Sequence, residues 1–189
     1  MTNKKIGRRQ ILSGLATGTA ALGLSAQAPA YATGKRRLKM VTTWAKNFPG
    51  LGTAPENIAK RVRDMTDGQL DIKIYAAGEL VSPFDSFDAV STGTADLYNG
   101  AEYYWQGKSP AFNFFTAVPF GMTAQELTAW INFGGGQELW DTLSAKFNIR
   151  AFQSANTGVQ MGGWFNKEIN TLDDFKGLKI RMPGLGGEV

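Results

Sequence analysis

Apolar positions along this chain alternate between two periods. Leu38 to Trp44 is a short apolar run, and Leu70 to Tyr75 alternates Leu70, Ile72 and Ile74 with polar partners; both predict strands. Between them, Pro55 to Met65 repeats at helical spacing, with Ile58, Val62 and Met65 on one face and Asp67-Gly68 as a C-cap. Ala77 to Leu80 reads as a turn. Ser82 before Pro83 predicts a capped helix to about Ser91, and Ala95 to Asn99 a third strand. Strand, helix, strand, helix, strand at this spacing predicts an α/β fold, a mostly parallel sheet with crossover helices.

Farther along, Thr123 and Glu126 make a capping box for a helix carrying Leu127, Trp130 and Ile131. Gly134-Gly135-Gly136 reads as a hinge or helix break, since it lacks the Lys-Ser/Thr of a phosphate loop and follows a helix. Glu138 to Phe147 predicts another helix, with Leu139, Trp140, Leu143 and Phe147 as its apolar stripe. Ile149 to Gln153 and Val159 to Phe165 are strand candidates. Thr171 to Phe175 is a short capped helix, and a last strand after Gly177 carries Arg181 and stops at Pro183-Gly184.

The N-terminal 32 residues read differently. Lys4, Lys5, Arg8 and Arg9 form a basic head, Ile11 to Leu24 a weakly apolar core, and Ala30-Tyr31-Ala32 a small-x-small cleavage pattern. Gly7-Arg8-Arg9-Gln10-Ile11-Leu12 resembles a twin-arginine (Tat) export signal. The whole chain carries 20 Lys+Arg against 16 Asp+Glu. Taking the leader's four basic residues from 20 leaves 16, so the remainder is close to neutral and gives no case for a nucleic-acid partner. The core of the leader is too short to span a bilayer, and no other stretch predicts a direct membrane span.

Cysteine and histidine are both absent. That removes disulfides, thiol chemistry, the common zinc sites, the usual general base and the familiar triads, which argues against an enzyme. Candidate chemistry lies at the strand ends, where open α/β sheets bind ligands. Arg181 presents a planar fork suited to a carboxylate. Gln160 and Asn156 offer amide donors and acceptors, and Glu102-Tyr103-Tyr104-Trp105 follows a strand directly, to wall a pocket or to pack a loop. Asp173-Asp174 is a carboxylate pair in a helix's first turn, favoured there by the dipole; a metal role is the lesser reading.

Two runs carry a family likeness. Asn156-Thr157-Gly158-Val159-Gln160-Met161-Gly162-Gly163-Trp164-Phe165 is one; Ile169-Asn170-Thr171-Leu172-Asp173-Asp174-Phe175-Lys176-Gly177-Leu178-Lys179-Ile180-Arg181 is the other. Together they resemble the solute-binding receptors of tripartite ATP-independent periplasmic (TRAP) transporters, of the DctP-like kind. With Ala77-Gly78-Glu79-Leu80-Val81 and Tyr103 to Lys108, the first run is similar to the branch that binds 2-oxo acids such as pyruvate.

The resemblance implies a two-lobed periplasmic binding protein (type II-like) that captures a small monocarboxylate and hands it to membrane permease subunits. Residues 33–153 would form the first α/β lobe and 154–189 the start of the second, the chain being truncated within it. It further implies that Arg181 grips the ligand carboxylate, with Gln160, Tyr103, Asn156 and Trp164 as further ligand contacts. Gln160 would also touch a bound sodium or calcium ion, most of whose ligands lie beyond Val189. No catalytic cofactor is implied, and a homodimer is left open. The alternatives are a Tat-exported enzyme or subunit, and a sensory receptor for another carboxylate such as lactate or a dicarboxylate.

Overall fold

A computed structural model describes residues 34–188. The predicted export signal over 1–32 lies outside them. Strand β1 (Arg36–Thr42) begins the fold, followed by helix α1 (Thr53–Met65) and strand β2 (Leu70–Tyr75). A short 3-10 turn (Pro83–Asp85) runs into α2 (Ser86–Ser91), then β3 (Leu97–Asn99). Two further 3-10 segments, Glu102–Trp105 and Pro110–Phe115, lead to α3 (Ala124–Phe133) and α4 (Gly136–Ala145).

The three strands form one parallel sheet in the order β2-β1-β3. Arg36 pairs with Leu70 and Val41 with Tyr75 on one side of β1; Met40 pairs with Leu97 and Thr42 with Asn99 on the other. Each parallel pairing needs a crossover, which α1 and α2 supply. The predicted α/β architecture is therefore present, and both ladders leave the C-terminal ends of β1 and β3 side by side.

Aromatic packing holds this frame. Phe87, 1% exposed, sits with Trp105, Phe112 and Ile149, its ring 5.2 Å from Trp105 and 5.6 Å from Phe112. Phe115, Leu127, Ile131 and Trp140 form a second cluster, the Phe115 and Trp140 rings stacked at 5.0 Å with planes 7° apart. Each such side chain removed from water contributes roughly 1.5–3 kcal/mol. Local signals hold where they are self-contained. Thr123 and Glu126 make both halves of their capping box, and Gly135 turns the chain with φ 82° between α3 and α4. Gly68, in the left-handed region, donates its N–H to Arg63 O at 2.8 Å and closes α1.

Several expectations change. Met65 is 78% exposed and Leu139 is exposed too, so neither belongs to its helix's buried stripe. The predicted helix over 82–91 divides into a 3-10 turn and α2, and Ser82 makes no side-chain cap. The third strand is shorter than Ala95 to Asn99, beginning at Leu97 while Ala95 is buried in the core. The predicted strands at 149–153, at 159–165 and around Arg181 do not form. A strand needs a ladder partner for its N–H and C=O groups, and among the described residues none lies beside these segments. They run instead as irregular chain tied by local contacts, such as Phe165 edge-on to Phe175 at 6.0 Å and Lys167 Nζ donating to Asp174 O at 2.6 Å.

Candidate functional site

The β1 and β3 ends build the site's floor. Thr43 N–H donates to Asn99 O at 3.0 Å, continuing the ladder beyond β1, and the Thr42 hydroxyl accepts from Trp44 N–H at 2.9 Å to set the following turn. Asn99 is structural: its Nδ2 donates to Leu51 O at 3.1 Å. The 3-10 segment Glu102–Trp105 then divides its aromatic residues between two jobs. Trp105 is buried, its indole N–H donating to Phe84 O at 2.8 Å. Tyr103 and Tyr104 stay half-buried, with rings 4.8 Å apart and edge-on. Trp44 lies 6.4 Å and Phe84 5.3 Å from the Tyr104 ring, so an aromatic wall faces outward over the sheet's C-terminal edge.

The segment after Arg181 comes to this wall. It returns through the 3-10 turn Gly184–Gly187, which touches the Glu102–Trp105 segment, and Gln106 Nε2 donates to Glu188 Oε1 at 3.2 Å. Burial pushes the Tyr104 phenol above its ordinary range and Tyr103 adds to that, while the Arg181 guanidinium and the Trp44 indole act the other way. A guanidinium within electrostatic reach of a phenol and an aromatic wall, with its own side chain exposed, can pair with an incoming carboxylate.

The same 3-10 segment holds Glu102, 5% exposed. Its Oε1 accepts from the Tyr98 hydroxyl at 2.7 Å and its Oε2 has no partner among the described residues. Burial raises this carboxyl to about 7, the Tyr98 hydrogen bond opposing the rise, and burial raises the Tyr98 phenol as well. Sequence reasoning gave Glu102 no role, and nothing in a single sequence marks a glutamate as buried. Asn113, wholly buried between exposed Phe114 and buried Phe112, was missed for the same reason.

The remaining candidates lie elsewhere. Asn156 caps its own turn, its Oδ1 accepting from Gly158 N–H at 2.6 Å, and Gln160 Nε2 donates to the Thr157 hydroxyl at 3.3 Å. Trp164 is 88% exposed. The segment that follows Arg181 reaches Tyr103, at Gly184, while the hydrogen bonds of Asn156 and Gln160 among the described residues stay within their own turn. Asp174 serves as a cap, accepting from Thr171 N–H at 2.7 Å and Asn170 N–H at 3.0 Å, which holds its carboxyl below the usual range. Among the described residues no group of three His, Cys, Asp or Glu could hold a metal. Gln160 Oε1 remains able to give one neutral oxygen to a cation, which fits a single ligand and no more. No helix among them is long and apolar enough to cross a membrane.

A parallel sheet with an aromatic wall beyond its strand ends places that wall where open α/β folds bind ligands. The family profile described as bacterial extracellular solute-binding protein, family 7 (DctP) matches residues 40–189, and the chain belongs to that family. It is 48% identical over 153 residues to the monocarboxylate 2-oxoacid-binding periplasmic protein of Nostoc sp., covering 81% of this chain and 42% of that one. Among solved structures it is similar to a TRAP periplasmic solute-binding protein from Pseudoalteromonas atlantica with bound sodium and pyruvate. The identity there is 49% and the TM-score 0.78, over 82% of this chain and 47% of that one. A Colwellia psychrerythraea counterpart with bound calcium and pyruvate gives 47% identity and a TM-score of 0.79, over 82% and 47%. The chain thus spans less than half the length of these relatives.

Proposed function

We propose that the protein is a periplasmic receptor of a TRAP transporter, exported by the Tat route, which captures a small monocarboxylate 2-oxo acid such as pyruvate for uptake by membrane permease subunits. The observation that supports this reading is the return of the Arg181 segment, through Gly184–Gly187, onto the Glu102–Trp105 segment beyond the joined ends of β1 and β3. The ligand carboxylate pairs with Arg181, and Tyr103, Tyr104 and Trp44 wall the apolar end of the ligand. Asn156, Gln160 and Trp164, exposed on the segment leading to Arg181, supply the facing contacts when that segment closes over the ligand. Gln160 gives one oxygen to a sodium or calcium ion at the site. Pyruvate with sodium or calcium in the two similar structures supports this ligand class. Binding without chemistry also suits a chain that has neither histidine nor cysteine.

Calorimetry on the protein expressed from its full reading frame tests the reading. Pyruvate, 2-oxobutyrate, lactate and succinate are titrated with and without sodium, beside Arg181→Ala. Binding of a 2-oxo monocarboxylate that vanishes in the variant is the expected result. Heat only with succinate, or binding indifferent to Arg181, overturns it.

A further inference from the structure

The turn after Pro183 is where the Arg181 segment rests on the rest of the fold, and its fit there is unusually close. Gly184 has φ +53°, and a Cβ on it would lie 2.5 Å from Asn113 Oδ1 and 3.0 Å from Tyr103 Cβ. Real Cβ atoms do not approach so near, so only glycine seats here. Asn113 is 0% exposed. Its Nδ2 donates to Pro110 O at 2.9 Å and to Gln106 Oε1 at 3.2 Å, which fixes the amide's direction. Among the described residues its Oδ1 has no hydrogen bond, and it is the atom nearest that Gly184 position. Gln106 continues the chain of contacts to Glu188, beyond the turn.

We infer that Asn113 and Gly184 are positioning residues: the buried amide and the bare glycine Cα form a seat that holds the Arg181 segment against the Glu102–Trp105 segment. Only Met182 and Pro183 separate Gly184 from Arg181, and the proline ring restricts one of those links, so a displacement of the glycine is passed on to the guanidinium. The orphaned Oδ1 follows from this arrangement, because the surface it meets is a Cα with no side chain. The rest of the turn does not share the constraint. A Cβ on Gly186 would meet only ordinary contacts, 3.7 Å from Met182 Cβ and Pro119 Cγ. This inference rests on the carboxylate-receptor reading for its effect on affinity, but not for its geometry.

The test uses the protein from its full reading frame as Gly184→Ala, Asn113→Ala, the double variant and Gly186→Ala. Two readouts are followed: pyruvate affinity by calorimetry, and the Tyr104 phenol titration by NMR of ring-labelled tyrosine, assigned with Tyr104→Phe. Gly184→Ala is expected to weaken pyruvate binding by about tenfold or more, the scale of a lost contact in a coupled site, while Gly186→Ala binds as the parent does. Adding Asn113→Ala to Gly184→Ala should restore part of the loss, because it removes the atom the new methyl strikes. Without ligand, the Tyr104 titration of Gly184→Ala should move toward that of Arg181→Ala. Parent-like binding and titration in Gly184→Ala, or losses that simply add in the double variant, overturn the seat. If the parent binds no pyruvate, the ligand reading fails while the Tyr104 titration still decides the seat. If Gly184→Ala does not fold, Asn113→Ala in the same titration decides it, a shift toward Arg181→Ala supporting the seat and a parent-like curve overturning it.

Discussion

Tyr98 donates its hydroxyl to Glu102 Oε1 at 2.7 Å at the end of β3, tying down a buried carboxyl in the 3-10 segment that carries Tyr103 and Tyr104. The other carboxyl oxygen faces no partner among the described residues, so the neutral acid is the form this environment favours. Proton release from Glu102 therefore puts strain on the segment that carries both tyrosines.

The sign of the resulting pH dependence follows. Glu102 has its folded value raised from 4.5 to about 7 by burial, so the folded chain holds this proton more tightly than the unfolded chain. The associated stability is fully present below the unfolded value and is lost as pH rises through about 7. Its size is on the order of 3 kcal/mol at most. Denaturant midpoints taken from about pH 5 to 8 should fall for the parent and stay level for Glu102→Gln in that window. Parallel curves for the two proteins would remove Glu102 as the titrating group.

Arg181→Ala should cost about 2–5 kcal/mol of carboxylate affinity, because it leaves the ligand's charge unpaired in the site. Arg181→Lys should recover only part of this, since a point charge does not reproduce a two-pronged fork. Calorimetric dissociation constants for the two variants, with melting temperatures to show that folding is intact, separate fork geometry from bare charge.

Phe87→Ala should destabilise the fold by about 3–5 kcal/mol, as Phe87 touches Tyr98, Trp105, Phe112 and Phe147 in one cluster. Tryptophan emission should shift as water reaches Trp105. Urea unfolding followed by fluorescence measures both effects.

Thr123→Ala removes the side-chain acceptor for Glu126 N–H and one hydroxyl donor to Glu126 Oε2. A loss of about 1 kcal/mol is expected, with the midpoint changed and the denaturant slope unchanged. Backbone and hydroxyl hydrogen bonds from Thr123 also hold the Glu126 carboxyl below its usual range, so its titration should move up in the variant.

The sequence made plain those parts of the fold whose cause is local. The alternation of Leu70, Ile72 and Ile74, the Thr123–Glu126 box and the Gly135 break depend on neighbours a few residues away, and each is found where expected. Exposure of Met65 and Leu139 could not be read, because burial of an apolar helix position depends on what is packed against it. The strands expected around Val159 and Arg181 failed for a related reason: their composition suits a ladder, but a ladder belongs to two segments. Arg181 and Tyr103 stood out as candidates by their chemistry, guanidinium and phenol. Glu102 and Asn113 did not, since polar residues in a tertiary interior carry no local mark.

The sheet order also bears on how the chain is made. β1 is central, yet its partners come later: Arg36 waits for Leu70, 34 residues on, and Met40 for Leu97, 57 residues on. On the ribosome the strand that will be most enclosed emerges first, with both edges bare until α1, β2, α2 and β3 have followed. Non-local parallel pairing is slow, and newly made strands with open edges are prone to stray association. Met40 and Val41, buried in the finished fold, thus stay uncovered during synthesis until β3 closes the second side.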